Sequence, residues 1–249
     1  MKKRISVMLM ILLCISGCMT VQNNEIKEAD PEIEVVQTPF PEISWGTLGE
    51  SEEVDDSYFD DAVMIGDSRM QGLSDFALLP DSTVLAARSL SVRDLGVKKV
   101  IEYEGQKKTV MEALEGVECS KIYICFGFNE LGYQYPEIFA QKYAEAIDQI
   151  RQIRPGVPIV VLNLFPVSRK HCEKQDPFEN TERIMEYNEL IEAMTQDRQT
   201  WFLDVCEAVS DEDGYLREEY TEDGTHLNIE GMEVWLQWLK KHALKGENK

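Results

Sequence analysis

Five short runs rich in apolar residues recur along the chain between residues 62 and 205. Their apolar positions are continuous instead of alternating with polar ones, which is typical of strands buried on both faces of a sheet. The predicted strands are residues 62–65, 83–86, 121–126, 157–164 and 200–205. Both faces of the predicted sheet therefore have to be covered by other elements.

Amphipathic stretches with helical spacing lie between and after these runs. In residues 137–153, apolar side chains recur at i, i+3, i+4 and i+7, which gives one apolar stripe. Residues 179–197 form a second such stretch, and residues 232–239 repeat the spacing, so Trp235 and Trp238 are predicted to be packing residues. Strands alternating with helices predict a parallel sheet in a three-layer α/β/α sandwich.

Length and charge limit the classes of function. The chain has 249 residues, which suits one domain or one domain with a tail. Lys and Arg number 25 against 46 Asp and Glu, for a formal charge of -21. A chain with this much negative charge repels the phosphate backbone of nucleic acids, and no nucleic-acid partner is therefore expected. No apolar run reaches the roughly 20 residues that a membrane-spanning helix needs.

The N-terminus has the features of an export signal. Three basic residues precede an apolar run, residues 5–15, which is too short to span a membrane. Ile15-Ser16-Gly17-Cys18 follows and resembles the lipobox of bacterial lipoproteins. Residues 1–17 are therefore predicted to be a lipoprotein signal peptide, with lipidated Cys18 anchoring an exported protein to the outer face of a bacterial membrane. The alternative is an ordinary signal peptide followed by an incidental cysteine.

Residues 18–57 carry eleven acidic residues and one lysine, together with three prolines. This composition predicts a flexible acidic tether, because the segment cannot bury enough apolar surface to fold by itself. Its few large apolar residues are expected to dock on the domain or to mark a short partner site; they are Phe40, Ile43, Trp45 and Leu48. The folded domain is predicted to span residues 58–249.

The cysteines of the domain do not form a recognisable framework. Cys119, Cys125, Cys172 and Cys206 are irregularly spaced and contain no metal-binding C-x-x-C pattern. Four free thiols are favoured over two disulfides. His171 and Cys172 are adjacent, but neighbouring side chains rarely face each other, so Cys172 is not expected to be a nucleophile.

Polar residues follow the predicted strands where a parallel sheet places its ligand site. Ser68 comes directly after the first strand and Asn129 comes after the third. Asp223 and His226 lie just before the last helix, with the spacing for a carboxylate to orient an imidazole. Each feature alone could be a capped turn, but together they predict one site at one edge of the sheet.

This pattern resembles the SGNH (GDSL-type) family of esterases, lipases and acylhydrolases. Three motifs carry the resemblance, and in the second of them Glu130 takes the place of the family's aspartate. The motifs match in the family's order and are Gly66-Asp67-Ser68, Gly127-Phe128-Asn129-Glu130 and Asp223-Gly224-Thr225-His226.

The resemblance implies an SGNH-hydrolase, flavodoxin-like fold around a five-stranded parallel sheet. It also implies a serine ester hydrolase acting through an acyl-enzyme, with Ser68 as nucleophile, His226 as base and Asp223 as its partner. The implied oxyanion hole comprises the N–H groups of Ser68 and Ser89 and the amide of Asn129. Neither a metal nor an organic cofactor is expected.

Two further residues depart from the family pattern. Ser89 occupies the place of a glycine whose N–H helps to bind the oxyanion; a serine can serve if its backbone does not require a positive φ. Arg69 replaces the apolar residue after the nucleophile. It is expected to be a solvated helix residue, the alternative being a contact with an anionic substrate.

The substrate is expected to be an ester of a small molecule or polysaccharide, with acetyl or another short acyl group on carbohydrate or cell-surface polymer. Gly127 and Tyr133 are candidate substrate-binding residues, and Phe128 and Tyr135 flank the same loop. The alternatives are an acyltransferase with the same triad and a non-catalytic surface binding protein. The sequence makes no prediction of the oligomeric state.

Overall fold

A computed structural model describes residues 45–244. The strands in this part of the chain are β1 (Ala62–Gly66), β2 (Thr83–Ala86), β3 (Ile101–Tyr103), β4 (Gln106–Lys108), β5 (Lys121–Cys125), β6 (Ile159–Leu162) and β7 (Trp201–Leu203). The helices are α1 (Ser68–Asp75), α2 (Val110–Leu114), α3 (Pro136–Ile153), α4 (Arg169–Cys172), α5 (Thr181–Arg198), α6 (Cys206–Val209) and α7 (Ile229–Lys241).

The main sheet has the strand order β2-β1-β5-β6-β7, and all of its pairs are parallel. Every residue of β1, β5 and β6 is buried, as continuous apolar runs predict. The five predicted strands, the three predicted helices and the α/β/α fold class are confirmed. The order reverses at β1, so the crevice beyond the ends of β1 and β5 is the topological switch point.

The sequence reading missed an antiparallel hairpin formed by β3 and β4. Each strand has three residues, most of them charged or polar, which leaves no apolar pattern to detect. The turn is Glu104-Gly105, and both residues have positive φ, 51° and 74°. Two-residue hairpin turns with positive φ favour Asn-Gly or Asp-Gly, so Glu-Gly does not indicate such a turn in the sequence.

Trp45 and Leu48, two of the apolar residues expected to dock on the domain, do so ahead of the predicted boundary at residue 58. The backbone N–H of Leu48 donates to the Phe202 carbonyl at 2.7 Å, and the ring of Trp45 lies 6.1 Å from that of Trp201. Residues 45–57 therefore pack on the domain, because their apolar side chains and strand-edge hydrogen bonds outweigh their acidic composition. The predicted signal peptide (residues 1–17), the predicted anchor Cys18 and residues 18–44 of the predicted tether lie outside the described residues.

Two further features of residues 45–244 concern the predicted cysteine chemistry and the membrane. Cys119, Cys125, Cys172 and Cys206 are free, as predicted. No helix in this part of the chain combines the length and apolar character needed to cross a membrane.

Candidate active site

The end of β1 turns directly into α1, and Ser68 is the first residue of that helix. The Asp67 side chain caps the helix by accepting from the Arg69 N–H at 2.9 Å. N–H groups in the first turn have no partner within the helix and carry the positive end of its dipole. The Ser68 N–H is therefore in a position that favours a developing negative charge.

Ser68, His226 and Asp223 form one hydrogen-bonded chain. Ser68 Oγ lies 2.8 Å from His226 Nε2, and His226 Nδ1 lies 2.7 Å from Asp223 Oδ2. An ionised carboxylate can only accept, so Nδ1 carries the proton and Nε2 is free to accept from the serine hydroxyl. The structure thus brings together the three residues predicted to be catalytic.

The loop around Asp223 fixes its charge. Burial opposes ionisation, but hydrogen bonds from the backbone N–H groups of His226 and Thr225 outweigh it and hold the pKa of Asp223 well below its ordinary value. Asp223 does not cap the last helix, because the Asn228 side chain caps α7. Asp223 is therefore an ionised partner for the imidazole.

Ser89 and Asn129 line the same cavity as Ser68 and His226. One Asn129 Nδ2–H donates to the Leu90 carbonyl at 2.8 Å, which leaves the second amide N–H for a ligand. Ser89 has a φ of 55°, in the left-handed region that favours glycine. The condition expected from the sequence, a backbone without positive φ, is therefore not met, and serine keeps its N–H in a conformation that carries strain.

Replacing Ser89 by glycine is expected to stabilise the protein by about 0.5 to 1 kcal/mol, because glycine adopts positive φ without steric cost. Thermal unfolding should show a melting temperature higher by roughly 1–4 °C. Ser89→Ala is the matched control, since alanine retains the strain. A glycine variant no more stable than the alanine variant would contradict the backbone assignment.

Arg69 is not the solvated residue that the sequence suggested. Its side chain is 3% exposed and lies between two rings, with the guanidinium carbon 3.9 Å from the Phe128 centroid and 4.1 Å from that of Phe165. Nη1 donates to the Phe165 carbonyl at 2.6 Å. Burial lowers the pKa of Arg69 to about 10, which still leaves it charged at neutral pH. Arg69 thus packs against the ring of Phe128, a residue that lines the cavity.

Glu130 is fully buried directly behind the site. Its Oε1 accepts from the Val92 N–H at 2.8 Å, and burial raises the pKa of Glu130 to about 8. The sequence identified Glu130 only as a departure from the family's aspartate. Its contact with a distant loop could not be predicted from chain order.

This pKa makes stability depend on pH. The pKa of Glu130 rises from 4.5 to about 8 on folding, so between those values the folded protein holds a proton that the unfolded chain has lost. Stability should therefore fall as pH rises through this window and level off above it. Glu130→Gln does not titrate, so its melting temperature relative to wild type should increase by several °C across the window. A difference that stays constant from about pH 5 to about pH 9 would contradict the assignment.

The cavity has a volume of about 520 Å³ and follows one face of α1, where Ser68, Gly72 and Asp75 line it. Gly127 and Tyr133, the predicted substrate-binding residues, do not line it. Gly127 has a φ of 137°, and a Cβ there would lie 3.0 Å from side-chain atoms of Leu164 and Phe139, so it serves the packing of the turn. The turn after β5 presents Phe128 and Asn129 to the cavity, and substrate contact by Gly127 and Tyr133 stays a prediction.

The adjacent His171 and Cys172 do not face each other. His171 Nδ1 lies 3.2 Å from Lys174 Nζ, and Cys172 Sγ lies 3.8 Å from the Thr181 hydroxyl. Within residues 45–244, no group of three or more His, Cys, Asp or Glu side chains is arranged to hold a metal ion.

Comparison with known proteins gives one family and one fold. The model of the GDSL-like Lipase/Acylhydrolase family matches residues 64–234. A structure from Streptococcus pneumonia, described provisionally as a platelet activating factor, has a TM-score of 0.58 at 20% identity, covering 74% of this chain and 89% of that one. A GDSL-like lipase from Bacteroides thetaiotaomicron has a TM-score of 0.54 at 14% identity, with 74% and 87% covered. The OSK domain of Drosophila Oskar has a TM-score of 0.52 at 15% identity, with 76% and 96% covered. No curated protein matches the sequence.

Proposed function

The chain belongs to the GDSL-like lipase/acylhydrolase family, and from this premise we propose that it is a serine esterase that removes acetyl or other short acyl groups from carbohydrate or cell-surface polymer. The observation that carries the proposal is the hydrogen-bonded chain from Ser68 Oγ through His226 to Asp223, with links of 2.8 and 2.7 Å. A protein that only binds its ligand does not need a hydroxyl, an imidazole and a carboxylate in this order.

The first half-reaction transfers the acyl group to the enzyme. His226 Nε2 takes the hydroxyl proton as Ser68 Oγ attacks the ester carbonyl carbon. The oxyanion accepts hydrogen bonds from the N–H groups of Ser68 and Ser89 and from the free amide N–H of Asn129. His226 then gives its proton to the leaving alcohol oxygen, the ester C–O bond breaks, and the acyl group remains on Ser68.

The second half-reaction releases the acyl group. His226 takes a proton from water, whose oxygen attacks the acyl carbon of acyl-Ser68. When the second tetrahedral intermediate collapses, the bond to Oγ breaks and His226 returns the proton to the serine. The carboxylic acid leaves, and the ionised Asp223 stabilises the imidazolium in both halves.

The lining of the cavity supports a short acyl group on a polar carrier. Asp75, Arg88 and Glu179 line it together with the proposed catalytic residues. Burying a long aliphatic chain against such charged groups would gain little hydrophobic free energy. Hydroxyl-rich carriers can instead form hydrogen bonds along the cavity.

The location of the enzyme is part of the proposal. Signal-peptide cleavage after residue 17 and lipidation of Cys18 would place the enzyme on the outer face of a bacterial membrane, beside external polymers. Support comes from the basic, apolar and Ile15-Ser16-Gly17-Cys18 segments of the sequence.

Hydrolysis of p-nitrophenyl acetate and octanoate, with acetate release from an acetylated polysaccharide, tests the activity and its acyl preference. We expect kcat/KM to be at least about tenfold higher for acetate than for octanoate. Acetate release from the polysaccharide should be lost in Ser68→Ala. A preference for octanoate would contradict the short-acyl proposal.

A further inference from the structure

Two side-chain hydrogen bonds join the turn after β5 to the loop after β2. The Val92 N–H donates to Glu130 Oε1 at 2.8 Å, and Asn129 Nδ2 donates to the Leu90 carbonyl at 2.8 Å. Since β2 and β5 pair on opposite sides of β1, these bonds connect loops that flank Ser68 on both sides. Together they hold the backbone on the C-terminal side of Ser89.

Ser89 needs such support because its own conformation is unfavourable. A left-handed backbone costs a non-glycine residue roughly 1–2 kcal/mol, and Ser89 has a φ of 55°. The Ser89 side chain is exposed and makes no hydrogen bond to another described residue. Ser89 lines the cavity, and a change of its φ would reorient its N–H.

Glu130 is itself held firmly. Its side chain is fully buried, its N–H donates to the Gly127 carbonyl at 3.1 Å, and the Tyr187 hydroxyl donates to its carbonyl oxygen. The turn that carries the acceptor is therefore closed by its own backbone hydrogen bond and fixed to α5 by Tyr187. A fixed acceptor can hold the loop whose N–H donates to it.

We propose that Glu130 is a positioning residue for the oxyanion hole: by accepting from the Val92 N–H, it holds the loop after β2 so that the Ser89 N–H points to the reacting carbonyl. This inference rests on the proposed esterase function. Glu130 does not contact the substrate, so it acts on kcat through Ser89.

The surroundings of Glu130 determine its charge state. Burial raises its pKa to about 8, Asp67 and Asp94 oppose its ionisation, and Arg93 favours it. The charge of an ionised Glu130 would also raise the pKa of four other groups, Cys125, Tyr133, Tyr143 and Tyr187. The side chain therefore accepts as a neutral acid at neutral pH, and glutamine reproduces both its acceptor and its charge.

The test compares glutamine with methionine at position 130. Glu130→Gln keeps an acceptor for Val92, so kcat for p-nitrophenyl acetate at about pH 7 should stay within about threefold of wild type. Glu130→Met has similar size and no such acceptor, so kcat should fall about 10- to 100-fold with KM nearly unchanged. A folded methionine variant with wild-type kcat, or a glutamine variant as impaired as methionine, would overturn the proposal.

Val92→Pro removes the same hydrogen bond from the donor side. It tests the positioning role of Glu130 if the methionine variant does not fold. Val92 is the first residue of a 3-10 turn and follows Ser91 in extended conformation, a place that proline tolerates. We expect Val92→Pro to lower kcat about as much as Glu130→Met, and the double variant to be no slower than either. Multiplicative losses in the double variant would overturn the shared role.

The two levels of the proposal fail separately. If wild type hydrolyses the ester only with Ser68 present, but position 130 has no effect on kcat, the esterase stands and the positioning role is wrong. If wild type has no Ser68-dependent activity, the esterase proposal itself fails.

Discussion

Replacing Ser68 by alanine is expected to lower kcat for p-nitrophenyl acetate by about 10⁶-fold, because no other group replaces the nucleophile. The Ser68 hydroxyl is hydrogen-bonded only to His226 among the described residues, so the variant should fold with a melting temperature close to wild type. Residual turnover should reflect only oxyanion binding and proximity.

Ser74→Ala is the matched control for this experiment. Ser74 lies on the same helix and is exposed, and it does not line the cavity. The control should keep wild-type kcat. A folded Ser68→Ala variant that retained more than about 1% of wild-type kcat would exclude Ser68 as the nucleophile.

Asp223→Asn should lower kcat by about 10⁴-fold. An asparagine oxygen can still accept from the Thr225 and His226 N–H groups, so the loop should keep its shape. Its amide N–H₂ would face Nδ1 as a donor and favour the tautomer that cannot take the Ser68 proton. The loss should therefore appear in kcat without a change in fold.

Glu222→Gln is the control for Asp223, because Glu222 is the neighbouring exposed carboxylate and does not line the cavity. Its kcat should equal that of wild type. A loss of less than about tenfold in Asp223→Asn would mean that Asp223 does not set the orientation of His226.

The sequence predicted the sheet well because its signal is local. β1 is a continuous apolar run, and so is β5 after its first residue, Lys121, as expected for strands buried on both faces. The β3–β4 hairpin has no apolar pattern to detect, and the packing of residues 45–57 depends on contacts with distant chain segments. Trp45 illustrates this, since its partner Trp201 is far away in sequence.

Site residues at strand ends were predictable, because the sheet topology alone brings Ser68 and Asn129 to one edge. The supporting residues were not. Arg69 looks like a surface residue until Phe128 and Phe165 enclose it, and Glu130 has a role only once Val92 lies beside it. These placements follow from tertiary packing, which residue spacing does not encode.

Mass spectrometry of the intact protein after reaction with a fluorophosphonate ester tests the central claim most directly. The phosphorus of this reagent bonds to an activated serine oxygen as fluoride leaves, so the product is stable and can be located by peptide mapping. We predict one phosphonyl group on Ser68 in the wild type, none in Ser68→Ala, and much slower labelling in His226→Ala. A label on another residue, or no label on a wild type that hydrolyses esters, would contradict Ser68 as the nucleophile activated by His226.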